Sequence, residues 1–197
     1  KLNVIRYKKL ALIKTYRNNE YDYETHPWMR YCRGIVIDTE TNKVLCIPPM
    51  KSEELTELDA CVLPDVSDKE YSVLLDGTMI NMFYYQGEWI LSTRSSIGAK
   101  TKWDGKRTFA NLFKESSPDT NWKYQLQKDN CYSFVLVHRN NRIVSPVNEN
   151  GIFLVEQHKM GEEVEKVSLD DLEGVQNVIT FQSGYLDNYR GDLYFSI

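Results

Sequence analysis

Residues 72–93 read SVLLDGTMINMFYYQGEWILST, and this pattern restricts the chain to few folds. Runs rich in Val, Ile, Leu, Met, Phe and Tyr are broken at Asp76-Gly77 and again at Gln86-Gly87-Glu88. Aromatic and β-branched side chains suit a pleated surface, and Asp-Gly or Gln-Gly supplies backbone that folds back on itself. The expectation is successive antiparallel strands that turn at both breaks. The stretch GIVIDTETNKVLCI, residues 34–47, repeats the device around a Thr-Glu-Thr-Asn turn.

Strand signals dominate elsewhere too. CYSFVLVH (131–138), RIVSPV (142–147) and GIFLVEQH (151–158) read as three strands with tight turns, and GYLDNYRGDLYFSI (184–197) as a last hairpin turning at Arg190-Gly191. Helical spacing is confined to short segments. Phe109, Leu112 and Phe113 share one helix face that Ser116-Ser117-Pro118 ends; Trp122 and Leu126 mark a second short helix; SLDDLEG (168–174) predicts a third, capped by Ser168 and stopped at Gly174. With no repeats and no low-complexity linker, the expected fold is α+β and antiparallel-rich, in a single domain over residues 1–197.

An excess of acid, 28 Asp and Glu against 24 Lys and Arg, gives a net charge of −4. Nucleic-acid binding by wholesale phosphate neutralisation is therefore not expected; any such contact is a local patch. Four cysteines and three histidines show neither C-x-x-C nor H-x-x-x-H spacing, so no metal site is expected. No apolar run is long enough to span a bilayer, and no signal peptide is visible, so a reducing intracellular setting with free thiols is expected. The sequence opens at Lys1 rather than at a methionine, and truncation at either end is an expectation here.

TKWDGKR, residues 101–107, spells Lys-x-Asp-Gly. That is the nucleophile signature of ATP- and GTP-dependent nucleotidyltransferases, in which the lysine attacks the α-phosphate. Such a lysine needs a buried strand end, where desolvation and neighbouring cations keep its amine neutral. Lys102 has no such flanks: it follows SSIGAKT and precedes a helix entry, among five basic residues, Arg94, Lys100, Lys102, Lys106 and Arg107. The Asp-Gly at 76–77 does have apolar runs on both sides, but the position three before Gly77 is Leu74.

In the order of its segments the chain resembles the phage RNA ligase 1 family. RYCRGIVID (30–38) is similar to the family's Cys-Arg-Gly strand, and IPPMKSEEL (47–55) to its Arg-Pro-Met-x-Lys segment. SVLLDGTMI (72–80) stands where Lys-x-Asp-Gly-Ser belongs, and ILSTRSSIG (90–98) resembles the hairpin that follows. SFVLVHRNNRIV (133–144) resembles Phe-Glu-Phe-Val with Asn-Arg-Ile-Val, and 183–197 resembles the Glu-Gly-Tyr and Lys-x-Lys region. The resemblance implies an ATP-grasp-like ligase adenylation domain, with two sheets around a central cleft and a few short helices.

Against that pattern the catalytic groups are missing. The nucleophilic lysine falls on Leu74, the glutamate of Phe-Glu-Phe on Val135, the glutamate of Glu-Gly-Tyr on Ser183, and the two late lysines on Phe195 and Ile197. The lysine of the Met-x-Lys segment falls on Ser52, beside Lys51. Leucine has no lone pair for a phosphoramide, and valine cannot orient a metal or a ribose. Burial of Leu74 and Val135 would fill a polar cleft with hydrocarbon, which avoids the desolvation cost of charge.

What survives is Gly34, Asp76, Gly77 and Gly98, with the cations Arg33, Arg94 and Arg142. The glycines are expected at positive φ. Arg33, Arg94, Lys100, Lys102, Lys106, Arg107 and Arg142 are the candidate phosphate or nucleic-acid contacts, with Trp89 and Trp103 interleaved for stacking. The bland alternative is a solvated loop beside core tryptophans. YDYETHPWMRY (21–31) is either a partner surface or core. The functional expectation is a catalytically inactive RNA-ligase-like module that binds a protein partner or, weakly, RNA or DNA, with no cofactor and no membrane. The alternative is an active RNA ligase using ATP and Mg²⁺ through a displaced lysine, Lys102, Lys51 or Lys69. A viral source is implied by the resemblance, with the host cytoplasm, the nucleus or the virion as the setting.

Overall fold

The computed structural model describes residues 1–16, 20–52, 70–103, 105–141, 143–144, 146–182 and 193–195; for 70, 71, 181, 182 and 193–195 it describes the backbone alone. The chain separates into two compact units, Lys1–Met50 with Asp76–Asn177, and Lys51–Leu75 with Val178–Ile197.

The first unit opens with β1 (Leu2–Tyr7), β2 (Leu10–Thr15), β3 (Arg33–Asp38) and β4 (Val44–Cys46), a four-stranded antiparallel sheet in chain order. A 3-10 turn, Pro27–Tyr31, leads into β3. The β3–β4 pair is the hairpin expected at 34–47. β5 (Glu70–Val73) belongs to the second unit. β6 (Thr78–Tyr85), β7 (Glu88–Thr93) and β8 (Ser96–Ile97) then form consecutive antiparallel pairs, and the β6–β7 hairpin turns at Gln86-Gly87 as expected. After α1 (Phe109–Ser116) come β9 (Asn130–Val137), β10 (Gly151–Met160), β11 (Val164–Val167) and β12 (Gln176–Asn177). They complete a seven-stranded sheet in the order β11-β10-β9-β6-β7-β8, with β12 paired to β10 in the one parallel pairing among the described strands.

Strand periodicity fixes the layers. On β6 and β9, Ile80, Met82, Tyr132, Phe134 and Leu136 point to one face and pack with Ile152 and Leu154, with Phe109, Leu112 and Phe113 of α1, and with Trp122. On the opposite face Phe83 and Cys131 pack against Leu10, Leu12, Val36 and Cys46 of the four-stranded sheet. The large sheet thus lies between the small sheet and the helical layer. Each fully buried Leu, Phe or Met of these clusters contributes on the order of 2 kcal/mol of transfer free energy. A bulge between Leu154 and Glu156 shifts the parity of β10, so that Glu156 and His158 stand opposite Ser133 and Cys131.

α1 starts where Thr108 Oγ1 accepts from the Asn111 amide at 3.2 Å. It stops at Ser117, before Pro118. The second expected helix is a 3-10 turn, Asn121–Gln125, which still buries Trp122. The third does not form. Residues 168–172 are irregular and lead into a turn at Glu173-Gly174, because Gln157 Oε1 takes the Asp170 amide (3.0 Å) and the Val175 amide returns to the Leu172 carbonyl. Ile143 and Val144 form a bend rather than the expected strand, the Val144 amide being engaged by Asp76.

In the second unit β5 is the middle strand, antiparallel to β13 (Thr180–Gln182) on one side and to β14 (Leu193–Phe195) on the other. Asp76-Gly77 is therefore not a hairpin turn. β5 and β6 belong to different sheets, and the chain passes between units there. The turn predicted at Arg190-Gly191 lies outside the described residues.

Candidate functional site

In the first unit three segments converge on the start of β6. Met79 pairs with Val135 in register, and Thr78 with Leu136. Gly77 lies so close to β9 that a Cβ there would stand 2.5 Å from the Leu136 carbonyl oxygen and 2.6 Å from Val135 Cγ1. Gly77 is required by this close approach and not by a positive φ, which corrects the expectation for that residue. Asp76 Oδ2 accepts from the Val144 amide at 2.7 Å, and Asn141 Nδ2 donates to Thr78 Oγ1 at 2.7 Å. Asp-Gly, the Val135 strand and the Asn-Arg-Ile-Val segment, far apart in sequence, are neighbours here. Asn141 is buried and its Oδ1 has no hydrogen-bond partner.

A second knot joins Arg33-Gly34 to Arg94. Gly34 has φ +117, and a Cβ on it would stand 3.0 Å from both Arg94 Cα and the Thr93 carbonyl oxygen. Arg94 Nη2 donates to the Thr15 carbonyl (3.2 Å) and lies 3.4 Å from Thr15 Oγ1, while the Thr15 amide donates to the Cys32 carbonyl. Register connects this knot to the first. Asn81 stands opposite both Ser92 and Ser133, so Arg94, just past β7, follows on the row that Met79 and Val135 occupy. Ser133 Oγ donates to Asn81 Oδ1 at 2.9 Å within this buried polar row.

The remaining candidates part company. Lys100 and Lys102 are exposed, as the sequence implies. Lys100 Nζ donates to the Tyr7 hydroxyl (3.2 Å) and stands 5.1 Å over the Tyr7 ring. That hydrogen bond, with the charge of Lys100, holds the Tyr7 phenol below its ordinary value. Lys102 forms an isolated bridge with Thr108. Arg107 is not a free loop cation: it pairs with Glu115 at 2.9 Å, and Glu115 also lies 3.2 Å from buried His138 Nε2. Trp89 is partly buried and packs against the core, edge-on to Tyr84 and Tyr132, whereas Trp103 is 49% exposed. Trp28 is 51% exposed, which excludes core for that part of 21–31.

Val135 is buried, as expected, but Leu74 is 55% exposed. Leu74 follows the end of β5 with no strand partner, so the expectation of a buried leucine is not met. Arg142, Ser183, Ile197 and Lys69 lie outside the described residues, and of Phe195 only the backbone, in β14, is described. Sequence reasoning missed Tyr7, Lys14 and Asn141. Lys14 Nζ donates to Ser95 Oγ at 2.9 Å, so β2 and the β7–β8 turn share one basic edge. The available signal was charge: residues 1–33 hold eight Lys or Arg and three Asp or Glu in a chain of net charge −4.

Comparison with known proteins agrees at the level of fold. No protein-family model matches the chain. The structure named "Putative ATP-dependent DNA ligase", from Aquifex aeolicus, superposes with a TM-score of 0.56 over 92% of this chain and 47% of that one, at 11% identity. The likeness is one of fold. In sequence, the chain is 26% identical over 144 residues to "Immediate-early protein ICP-46 homolog" of Invertebrate iridescent virus 3, a match covering 68% of this chain and 32% of that protein. The chain thus spans about a third of the length of that viral relative and about half of the ligase chain. The fold is ligase-like and sheet-rich, and a viral protein is similar in sequence. No helix among the described residues is long and apolar enough to cross a membrane.

Proposed function

We propose that this chain is a phage RNA ligase 1-like domain, one functional unit over residues 1–197, that no longer transfers nucleotides and serves as a binding module of a viral protein. The observation that carries the reading is the contact of Gly77 with Val135. Two segments matched to the family by residue order alone are neighbours, which supports reading Leu74 and Val135 as the positions of nucleophile and glutamate. A hydrocarbon at both leaves no amine to attack an α-phosphate and no carboxylate to orient a metal.

The retained cations suit a weak grip on single-stranded nucleic acid. Lys100 meets exposed Tyr7, Lys14 meets Ser95, and Lys102 and Lys106 are exposed on the same segment as exposed Trp103, so cations and aromatic rings of the kind that take phosphates and bases are offered at the surface. Arg94, just past β7, and Arg33, beside the Gly34 that lies close to Arg94, add charge. Arg107 contributes less, being held by Glu115.

The test is incubation with ATP and Mg²⁺ followed by intact mass. An unchanged mass is expected. A covalent AMP mapped to Lys102, Lys51 or Lys69 refutes the inactive reading and establishes the displaced nucleophile. Binding of single-stranded RNA that weakens steeply with salt is the expected second result. Salt-insensitive or absent binding turns the module toward protein partners.

A further inference from the structure

We infer that the outer face of the four-stranded sheet docks an amphipathic helix of a partner protein, one whose apolar stripe is flanked by Asp and Glu. Such docking is independent of whether the chain transfers nucleotides.

The pairing register gives the small sheet two faces. Leu10, Leu12, Val36 and Cys46 point inward and belong to the core shared with the large sheet. The alternate positions point outward. Val4 pairs with Ile13 and Ile13 with Ile35, one row across β1, β2 and β3. In the next row Ala11 pairs with Ile37 and Ile37 with Val44, and Arg6 pairs with Ala11 from the edge strand. Val4 is 49% exposed, and Ile13, Ile35, Ile37 and Val44 are partly exposed. None of these five side chains belongs to either core cluster.

An antiparallel sheet with one wet face alternates apolar inside with polar outside. β2 and β3 depart from that rule, with aliphatic side chains on both faces, which is the pattern of strands covered on both sides. The large sheet has such cover from α1, the one α-helix among the described residues. That helix is thereby unavailable to the small sheet. A sheet face of this kind is ordinarily closed by a helical layer. Three strands spaced about 4.8 Å apart make a row about 10 Å long, which matches two helical turns.

Charge selects the partner. Residues 1–17 hold six Lys or Arg and no Asp or Glu. Arg6, Lys8 and Lys43 are exposed on the outer row and on the turns beside it, and nearby Glu40 is held by Lys9 at 2.9 Å. A second copy stacked on this face about a two-fold axis would set these cations against their own equivalents. An acidic flank on a foreign helix meets them instead.

The experiment titrates the full chain into two fluorescein-labelled synthetic helices of about 18 residues, long enough to hold helical structure. Both carry Leu at i, i+3, i+4 and i+7; Glu flanks the stripe in one, Lys in the other. Fluorescence anisotropy should show the Glu peptide bound at least about tenfold more tightly than the Lys peptide. Arg6→Glu should shrink that preference several-fold. Ile13→Thr with Ile35→Thr keeps the β-branching and should weaken the Glu peptide about tenfold. Amide shifts on binding should fall on β1 to β4 and spare α1. Arg6 is exposed and outside the core, so its variant decides the question even if the isoleucine variant does not fold. Equal affinity for the two peptides, a preference that Arg6→Glu leaves unchanged, or no binding of the Glu peptide overturns the inference. So does a dimer in sedimentation that Ile13→Thr with Ile35→Thr disperses, which gives the face to a second copy. Single-stranded RNA that displaces the peptide and shifts the same amides gives it to nucleic acid and is equally fatal.

Discussion

Replacing Gly77 by alanine adds one methyl group at the tightest point of the candidate site. The new carbon would lie 2.5 Å from the Leu136 carbonyl oxygen and 2.6 Å from Val135 Cγ1, against a comfortable separation of about 3.5 Å. The side-chain contact can relax by rotation of Val135. The carbonyl cannot, because Leu136 is part of β9, paired with β6 on one side and β10 on the other. The β6 entry must then move by most of an ångström, which disturbs the Asp76–Val144 and Asn141–Thr78 hydrogen bonds. Overpacking costs typically 1–3 kcal/mol and a lost intramolecular hydrogen bond about 1 kcal/mol, so Gly77→Ala should destabilise by about 3 kcal/mol. Urea unfolding followed by tryptophan fluorescence measures this. Gly151→Ala is the control. Its Cβ would meet only the Phe153 ring at 3.4 Å, and the change should stay within about 1 kcal/mol. Adding Val135→Ala to Gly77→Ala should recover part of the loss and not all of it, since the carbonyl clash persists. If Gly77→Ala unfolds within about 1 kcal/mol of the parent, the close approach is wrong, and with it the argument that seats Val135 beside the Asp-Gly segment.

Two further substitutions test the frame of the site. Thr108→Ala removes the hydroxyl that accepts from Asn111 at the start of α1 and should cost about 1 kcal/mol, with Thr108→Ser restoring it, as seen by urea unfolding. Tyr132 is fully buried, and burial raises its phenol above the ordinary value of 10.0. Its folded form therefore keeps a proton that the unfolded chain releases. The stabilisation is complete below that ordinary value and fades as pH rises toward the folded one. Tyr132→Phe should flatten the alkaline loss of stability relative to the parent; parallel curves would show that Tyr132 does not set it.

Leu74, Gly77 and Val135 show what the sequence could carry about the site. Their places relative to Asp76 were legible because residue order survives when side chains change. Their environments were not. Valine at 135 is buried because β9 is a central strand, whereas leucine at 74 is exposed because the chain leaves β5 there without a partner. Arg107 reads as a free cation beside Lys106, yet Glu115, eight positions on, claims it across the start of α1. No local pattern distinguishes a solvated arginine from a paired one.

The sequence by itself determined the strands with strong period or clear punctuation: the β3–β4 and β6–β7 hairpins, β9, β10 and the apolar face of α1. Those depend on neighbours along the chain. Only the tertiary structure decided that Asp76-Gly77 crosses between units, that residues 168–174 turn instead of coiling, and that Tyr7 meets Lys100 while Cys46 and Cys131 share one buried cluster. Those outcomes rest on partners far away in sequence, the Gln157 side chain for Asp170 and the facing sheet for Cys46. Such partners hold hydrogen-bonding groups and sulfur atoms in a competition that local propensity does not encode.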